Sequence, residues 1–426
     1  MSESSPFNQD ITRSCSDLPL YQGDMTLVPH DGDTRSGTGT INLFCGGAQR
    51  HLRVHFDQTD GKSLSTLPRS PDGKFGVGTT LMQVPLASPF FVFVTSGVST
   101  RLIGESQLIT ADPQVKYRTL ELYLLNTLIP EIKTTWTFGD WSATLERTPC
   151  SYDLTRVSLP INEINLTHRL VLHRKDGLLF SWGDVQTQVD QFLLFLSFAN
   201  CSQVIAPISY GRTNGSLEWF RFEAPDRTFP TNRRSWATKL TPQQLEEARE
   251  CFTKTTENPF WGSIIRRAVS WQTLVDLARY ESDEQALFTV QMLLEMLSYV
   301  VLVEDAAVLS EDGYSKLPAA DRITVLCGYS NQSISVTHGE VEELQAFCAS
   351  NSIGNTGELI AVLRNKLIHP TKKNREYLAR VPSRVRGIAV AAGLQIASLT
   401  VLKTIGYRGA YFDTSKHGVA AVPWSR

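Results

Sequence analysis

The hydrophobic pattern changes its period about halfway along the chain, and this change constrains the fold more than any other feature. Up to residue 225, apolar residues come in short or alternating runs between turn residues. Such runs predict the strands of a sandwich or barrel. From residue 260 onward the apolar runs are longer and repeat with the period of a helix. The sequence therefore predicts an α+β protein, in which a β-rich N-terminal domain precedes an all-α helical bundle.

A polar segment rich in proline separates the two patterns and suggests the domain bounds. We predict a β-rich domain over residues 1–225, a linker over residues 226–258 and a helical domain over residues 259–426. The linker carries one amphipathic stretch, residues 242–253, that predicts a short helix. Thr241 is a suitable cap for that helix, and Pro242 suits its first turn.

The β-rich part is predicted in more detail from turn signals and alternation. Asp176-Gly177 and Asn214-Gly215 are favoured two-residue hairpin turns, so each is expected to join two strands. Residues 117–128 and 185–198 show apolar faces of helical period and predict two embedded helices. Strands are predicted over residues 40–44, 51–56, 89–98, 134–145, 169–173, 178–182, 204–210 and 217–222.

The second half is predicted to be helical with irregular connections. Residues 309–335 look like a loop, and the tail after Gly406 looks irregular and aromatic. Helices are predicted over residues 261–281, 283–303, 339–349, 355–368 and 383–405.

Composition and cysteine usage favour a cytoplasmic protein. The net charge is -2, so any contact with nucleic acid must use a local cluster of Lys and Arg. The 7 cysteines are scattered without a Cys-x-x-Cys pair, which argues against a disulfide framework or a zinc ribbon. Two apolar stretches, residues 286–303 and 388–405, contain Glu295 and Lys403, and charges are costly in lipid. We predict that both are core helices and not membrane spans.

Residues 358–370, which read E-L-I-A-V-L-R-N-K-L-I-H-P, carry the most complete set of chemical groups. Asn355 can cap this helix, and an apolar side should anchor it in a core. Asn365 and His369 lie one turn apart on the polar side, and Arg364 lies on its other flank. Pro370 disfavours helical geometry at His369, so the imidazole is predicted to lie at an exposed helix end.

These three groups suit RNA cleavage by attack of a ribose 2′-OH on the adjacent phosphate. Histidine can accept or donate the proton near neutral pH, and arginine can bind two phosphate oxygens. Asparagine can hold the ribose or orient the imidazole. Arg364 and His369 project about 140° apart on an ideal helix, so one helix cannot easily bring both to one phosphate. A two-fold dimer that faces two such helices would solve this problem.

Arg364, Asn365 and His369 together form the motif Arg-Asn-x-x-x-His. Because of this motif, the C-terminal part of the chain resembles the HEPN superfamily of helical ribonucleases. The family's Arg, Asn and His correspond to these three residues. Many members place an acidic or polar residue on an earlier apolar helix. Glu295 and Gln291 are the similar residues here, and Glu295 is the preferred candidate. The order of domains is similar to that of ApeA-type anti-phage HEPN proteins.

The resemblance implies a fold, an activity and partners. It implies a helical domain that forms a homodimer and a metal-independent endoribonuclease without a cofactor, with RNA, such as tRNA, as substrate. It further implies a toxin-like effector of anti-phage defence or abortive infection, in which the N-terminal domain would sense a phage-derived trigger or select the substrate. Basic residues around the motif would then bind RNA: Lys366, Lys372, Lys373 and Arg375.

One competing match to the motif is set aside, and two alternative functions stay open at this stage. Residues 50–55 also fit the motif, but they alternate like a strand and are interpreted as a surface strand. A non-catalytic HEPN module that binds RNA or protein would show the same sequence pattern. A carbohydrate- or ligand-binding β domain could use Trp136, Phe138 and Trp141, although such aromatic residues more commonly form a core.

Overall fold

The computed structural model forms two compact units. It describes residues 17–29, 35–46, 49–58, 76–81, 84–85, 90–93, 101–106, 108–125, 127, 129, 133–148, 166–224, 235–332 and 342–425. The first unit contains most of the chain up to residue 228, and the second contains residues 229–426 together with residues 128–131 and 191–203. The predicted linker region from Phe229 onward thus belongs to the second unit.

One antiparallel sheet of the first unit closes on itself. Its 7 strands follow the order β1-β2-β3-β7-β6-β4-β5, and an additional pairing joins β1 to β4. This closure agrees with the predicted barrel-like arrangement and leaves fewer free strand edges. The strands are β1 (Asp17–Pro29), β2 (Arg35–Gly46), β3 (Gln49–Gln58), β4 (Gly76–Leu81), β5 (Val84–Pro85), β6 (Phe90–Phe93) and β7 (Arg101–Ser106).

The other sheet of the first unit is also antiparallel, with 7 strands in the order β10-β11-β12-β9-β13-β14-β8. Leu120, Leu122 and Leu124 alternate into its core, each fully buried. The strands are β8 (Leu108–Thr110), β9 (Thr119–Leu125), β10 (Thr134–Phe138), β11 (Trp141–Arg147), β12 (Leu166–Arg174), β13 (Ile208–Thr213) and β14 (Ser216–Glu223).

Two predictions for this unit are wrong. Residues 117–128 were expected to form a helix but contain strand β9. The prediction failed because the leucines of this stretch fit the period of two of a strand as well as the period of a helix. Residues 178–182 do not continue a hairpin after Asp176-Gly177. Helix α1 (Trp182–Asn200) begins there instead, because Asp184 accepts hydrogen bonds from the backbone N and side chain of Ser181. The hairpin at Asn214-Gly215 is confirmed.

The second unit is mainly helical, so the predicted α+β class is confirmed. Its helices are α2 (Pro242–Thr256), α3 (Pro259–Glu281), α4 (Asp283–Tyr299), which continues as a π-helical segment (Val300–Asp305), α5 (Glu311–Lys316), α6 (Ala319–Tyr329), α7 (Glu342–Ser350), α8 (Thr356–Ile368), α9 (Lys372–Arg380) and α10 (Ser383–Thr404). Its chain ends in a hairpin of β15 (Ala410–Asp413) and β16 (Gly418–Ala421).

Three features of this unit differ from the sequence prediction. The predicted loop over residues 309–335 contains α5 and α6, because Ser310 accepts a hydrogen bond from the Gly313 backbone and caps α5. Helix α9 was not predicted. The tail predicted as irregular contains the β15–β16 hairpin, which the Gln395 side chain ties to α10 through hydrogen bonds from Thr414.

The two most apolar helical segments are largely buried in the second unit. The segments Asp283–Asp305 and Ser383–Thr404 are long and apolar enough to cross a membrane, with mean hydropathies of 1.9 and 1.7. However, 61% and 78% of their most apolar windows are buried inside the protein. This burial agrees with the prediction that both are core helices.

At Gly393, α10 packs closely against α4 and α8. An added Cβ would lie 2.7 Å from Val290 Cγ2 and 3.4 Å from Ile360 Cδ1. We expect Gly393→Ala to lower the free energy of unfolding by about 1–3 kcal/mol, because the tight contact outweighs the better helix propensity of alanine. Urea denaturation of the full chain measures this change.

Gly387 in the same helix provides the matched control. A Cβ there meets no atom within 4 Å among the described residues. Gly387→Ala should therefore stabilise the protein by about 0.5–1 kcal/mol through helix propensity alone. Equal stabilisation by both substitutions would contradict the close packing at Gly393.

Candidate functional site

Helix α8 carries the predicted motif, and its start is fixed by the expected cap. The Asn355 side chain accepts a hydrogen bond from the Glu358 backbone at 2.9 Å, as predicted. Glu358 itself reaches back to the Gly354 backbone N at 2.6 Å, one residue earlier than in an ordinary capping box. Leu359, Ile360 and Leu363 are buried, so the apolar side of α8 anchors the helix in the core.

Arg364 is held at the surface of α8 by an aromatic ring of α4. Its guanidinium lies 5.9 Å from the centroid of the Phe288 ring, within the range of a cation–π contact. Arg364 Nη1 also donates to Asn365 Oδ1 at 3.2 Å. Its Nε is buried and has no hydrogen-bond partner among the residues that the structure describes. The guanidinium is thus oriented by Phe288 and Asn365, and its buried Nε is not exposed to a ligand.

His369 lies at the exposed end of α8, as the position of Pro370 predicts. It is the residue that ends the helix, with φ -112° and ψ 78°, outside helical geometry. Its backbone carbonyl accepts hydrogen bonds from Thr371 N at 2.7 Å and from Asn374 Nδ2 at 2.6 Å. Within the described part of the chain, the imidazole makes no hydrogen bond. The backbone of His369 is therefore fixed, whereas its ring faces solvent.

Helix α9 follows His369 directly and brings basic residues beside it. Thr371 caps this helix by accepting a hydrogen bond from Asn374 N at 3.3 Å. Arg375 Nη1 donates to the Pro370 carbonyl at 2.6 Å and tightens the turn. Lys372 and Lys373 are exposed in the first turn, which contains no acidic residue. The positive end of the helix dipole and these cations favour an anion beside His369.

Two of the predicted RNA-binding residues, Lys366 and Lys372, make only loose contacts with α9 side chains. Lys366 Nζ lies 5.3 Å from the Tyr377 ring centroid and so connects α8 with α9. Lys372 Nζ lies 4.0 Å from Glu376, and both side chains are mostly exposed. An exposed pair at this distance holds its charges loosely, so Lys372 stays available to a phosphate.

Glu295 is not joined to Arg364 or His369 by any contact among the described residues. It lies half-buried on α4, and its Oε1 accepts a hydrogen bond from Gln291 Nε2 at 2.8 Å. The cationic partner that was expected for this carboxylate does not occur in the described part of the chain. Its membership of the site stays a prediction that depends on the resemblance.

The competing motif match of the first unit lies in a strand, and two of the three aromatic residues of the competing ligand site are buried. Residues 50–55 lie in strand β3, as predicted. Trp136 is 1% exposed and Trp141 is 7% exposed, so both belong to the core of the sheet. No cluster of three or more metal-binding side chains occurs among the described residues.

Sequence reasoning missed Phe288 and Asn374, which position Arg364 and His369. Phe288 is an apolar residue of an apolar helix and is 43% exposed. No pattern in the sequence indicates that it contacts Arg364. Asn374 could have been found, because Thr371 followed three residues later by a polar residue is typical of a helix start. In the structure, Arg364 donates a hydrogen bond to Asn365, and the His369 carbonyl accepts one from Asn374 of α9. The structure describes no contact between Arg364 and His369 themselves.

The fold and the site define an α+β protein whose helical part carries an Arg-Asn-x-x-x-His motif at an exposed, basic helix end. Residues 258–422, from the start of α3 to just beyond β16, match the family model described as the YopA C-terminal domain. The chain is 24% identical over 266 residues to the "SPbeta prophage-derived uncharacterized protein YopA" of Bacillus subtilis (strain 168). That alignment covers 61% of this chain and 58% of the relative. No solved structure matches the chain.

Proposed function

We propose that the protein is a metal-independent endoribonuclease of the HEPN type that cleaves RNA, with tRNA as a candidate substrate. One observation carries the proposal: His369 presents an open imidazole at a fixed helix end, directly before the basic N-terminus of α9. Arg364 and Asn365 lie one helical turn earlier on the same helix. The proposal also draws on the resemblance of the motif to that superfamily.

The reaction divides between the three side chains. His369 takes the proton from the ribose 2′-OH, or gives one to the leaving 5′ oxygen, and water takes part in the other proton transfer. The 2′ oxygen attacks phosphorus while the bond to the 5′ oxygen breaks, which leaves a cyclic phosphate and a 5′-hydroxyl. Arg364 stabilises the negative charge of the pentacoordinate phosphate, and Asn365 holds the ribose. Arg, Asn and His supply the acid–base and charge-stabilising groups of this reaction, so the mechanism assigns no step to a metal ion.

RNA would reach this site along the basic surface of α8 and α9. Lys366, Lys372, Lys373 and Arg375 provide its positive charge, although Arg375 is partly engaged by the Pro370 carbonyl. Because the whole chain has a net charge of -2, attraction of RNA depends on this local surface. Binding should therefore weaken steeply as salt concentration rises.

We further propose a toxin-like role in anti-phage defence or abortive infection. The protein would act in the cytoplasm as a homodimer through its helical domain, and the N-terminal β-rich domain would receive a phage-derived trigger. The similar protein of Bacillus subtilis is named as prophage-derived, which supports a role in contacts between phage and host. The domain order is the second support.

The proposal is tested by incubating the full chain with tRNA in EDTA and analysing the products. Wild type should cleave, and His369→Ala should lower the rate by about 100-fold or more because it removes an acid–base group. Arg364→Ala should have a comparable effect. His417 is another exposed histidine of the second unit, so His417→Ala is the matched control and should keep wild-type activity.

The ends of the products distinguish this mechanism from others. Cyclic phosphate and 5′-hydroxyl ends are expected, and a 5′-phosphate product would refute the mechanism. Unchanged cleavage by His369→Ala would refute the site. If wild type binds tRNA without cutting it, and the variants bind equally well, the domain is a non-catalytic RNA-binding module and the nuclease proposal is wrong.

A further inference from the structure

Two exposed apolar side chains border the motif end of α8. They are Phe288 of α4, which is 43% exposed, and Ile368 of α8, which is 36% exposed. Phe288 contacts Arg364, and Ile368 lies one helical turn after Arg364 and directly before His369. A single exposed apolar residue is ordinary on a protein surface. Two that border a cationic, polar site indicate a ligand that has an apolar part as well as a charged one.

The ring of Phe288 and the guanidinium of Arg364 lie side by side at the surface. Arg364 Cζ is 5.9 Å from the ring centroid, and Arg364 Nη1 donates to Asn365 Oδ1, so the guanidinium is held between the ring and the amide. The guanidinium does not cover the ring, because 43% of Phe288 stays exposed. A ligand whose anionic group reaches Arg364 therefore meets an aromatic surface one side chain away.

The charge around this pair favours a chain of phosphates over a single anion. Residues 364–386 contain 8 Lys and Arg and 1 acidic residue, Glu376, although the whole chain has a net charge of -2. Proteins that bind single-stranded nucleic acid combine such a basic surface with an aromatic side chain on which a base stacks. The exposed basic residues of the segment are Lys372, Lys373, Arg375, Arg380 and Arg384.

We propose that the base next to the cleaved phosphate stacks on Phe288, while Arg364 of the same subunit holds that phosphate. The inference rests on the proposed RNA-cleaving function and adds a residue that determines its specificity. A base inside a duplex already stacks on its neighbours, so only an unpaired base can be turned onto the ring. Phosphates next to an unpaired base should therefore be cut, and phosphates inside a duplex should not.

The binding of two RNAs that differ only in their bases tests the proposal. One is an oligoadenylate of about 12 nucleotides, and the other is an abasic RNA of the same length, which keeps the riboses and phosphates. The full-length His369→Ala variant is the host, because it should bind RNA without cutting it. Fluorescence anisotropy of the labelled RNAs in EDTA gives the affinities. Phe288→Leu in this host should weaken oligoadenylate binding by about 10-fold and leave binding of the abasic RNA unchanged.

The abasic RNA separates stacking from the contact between Phe288 and Arg364. If the ring acts only by orienting Arg364, Phe288→Leu weakens the binding of both RNAs by the same factor, and the proposal is overturned. Phe288→Trp should retain oligoadenylate binding, because it keeps an aromatic face. Phe260→Leu is the matched control and should leave both affinities unchanged, because Phe260 is also 43% exposed but lies beside Trp261 on α3.

The oligomeric state and the cleavage assay identify the competing explanations. Phe288→Leu should sediment with the mass of wild type, and dissociation of a dimer would mean that a second subunit covers the ring, which overturns the proposal. If wild type does not cut tRNA but the two RNAs respond as expected, the nuclease proposal is wrong and the stacking role stands. If wild type cuts tRNA but Phe288→Leu affects both RNAs equally, only the stacking role is wrong. Thermal melting shows whether each variant is folded, and a folded host that binds no oligoadenylate also overturns the proposal.

Discussion

A mixture of the Arg364→Ala and His369→Ala variants is expected to regain RNA cleavage that neither variant shows alone. The reason is geometric. Arg364 is held against Phe288 of α4, whereas His369 extends beyond the end of α8, and no contact joins the two side chains among the described residues. If cleavage needs both groups on one phosphate, two subunits of a dimer must supply one each.

The expected size of the recovery follows from the number of complete sites. After random exchange of subunits, half of the dimers contain one copy of each variant, and each of these keeps one complete site. Activity should therefore reach about a quarter of the wild-type level. It is measured as the rate of tRNA cleavage by the exchanged mixture. The mixed dimer, purified by different tags on the two variants, should reach about half of the wild-type level because one of its two sites is complete.

A double variant, Arg364→Ala with His369→Ala, provides the control. When the double variant is mixed with either single variant, no dimer contains a complete site. These mixtures should therefore stay inactive. Recovery in those mixtures would show that a contaminating nuclease is present. Failure of the two single variants to complement, while each still forms a dimer with wild type, would contradict a site shared between subunits and place both groups in one subunit.

The motif helix could be predicted closely because several local signals coincide there. Asn355 supplies the cap, the buried leucines give the helical period, and Pro370 ends the helix, so the predicted range of 355–368 agrees with Thr356–Ile368. The π-helical continuation of α4 could not be predicted, because its residues Val300–Asp305 extend the same apolar pattern. Period alone does not distinguish hydrogen bonds of one helical register from those of another.

The missed elements share a different cause, which is a lack of apolar residues. In α9 only Leu378 is buried, so the sequence of this helix shows almost no apolar periodicity. Formation of the helix depends instead on the Thr371 cap and on contacts with the preceding turn. The partner of Arg364 was missed because Phe288 approaches it from another helix. The sequence therefore predicts which groups the site contains better than it predicts what positions them.

The second unit also contains a carboxylate that no sequence pattern distinguishes. Asp276 of α3 is 3% exposed, and its Oδ2 has no hydrogen-bond partner among the described residues. Burial raises the pKa of Asp276 from the ordinary 3.8 to about 7, against the lowering effects of the Arg279 charge and of the nearby Ser202 hydroxyl. Cys201 lies close enough for its own pKa to be raised by Asp276, in addition to the larger effect of its burial.

The raised pKa predicts how stability changes with pH. Below about pH 4 the carboxyl is protonated in both the folded and the unfolded chain, so its contribution to stability is fully present there. Between about pH 4 and pH 7 the unfolded chain loses this proton while the folded chain keeps it, so stability falls by about 1.4 kcal/mol per pH unit. Above about pH 7 both forms are ionised and the loss, about 4 kcal/mol in total, is complete.

Asp276→Asn should remove this dependence, because an amide resembles the protonated carboxyl and does not titrate. Urea denaturation at pH 4.5 and pH 8 gives the free energy of unfolding of both proteins, and only their difference is compared, since other groups also titrate. That difference should favour the variant by a few kcal/mol more at pH 8 than at pH 4.5. Asp305 is exposed at the end of the π-helical segment, so Asp305→Asn is the matched control and should leave the difference near zero at both pH values. A difference that is the same at both pH values for Asp276→Asn would mean that the buried carboxyl does not hold its proton. The polar atoms around it would then have to stabilise the charge, which the unpartnered Oδ2 argues against.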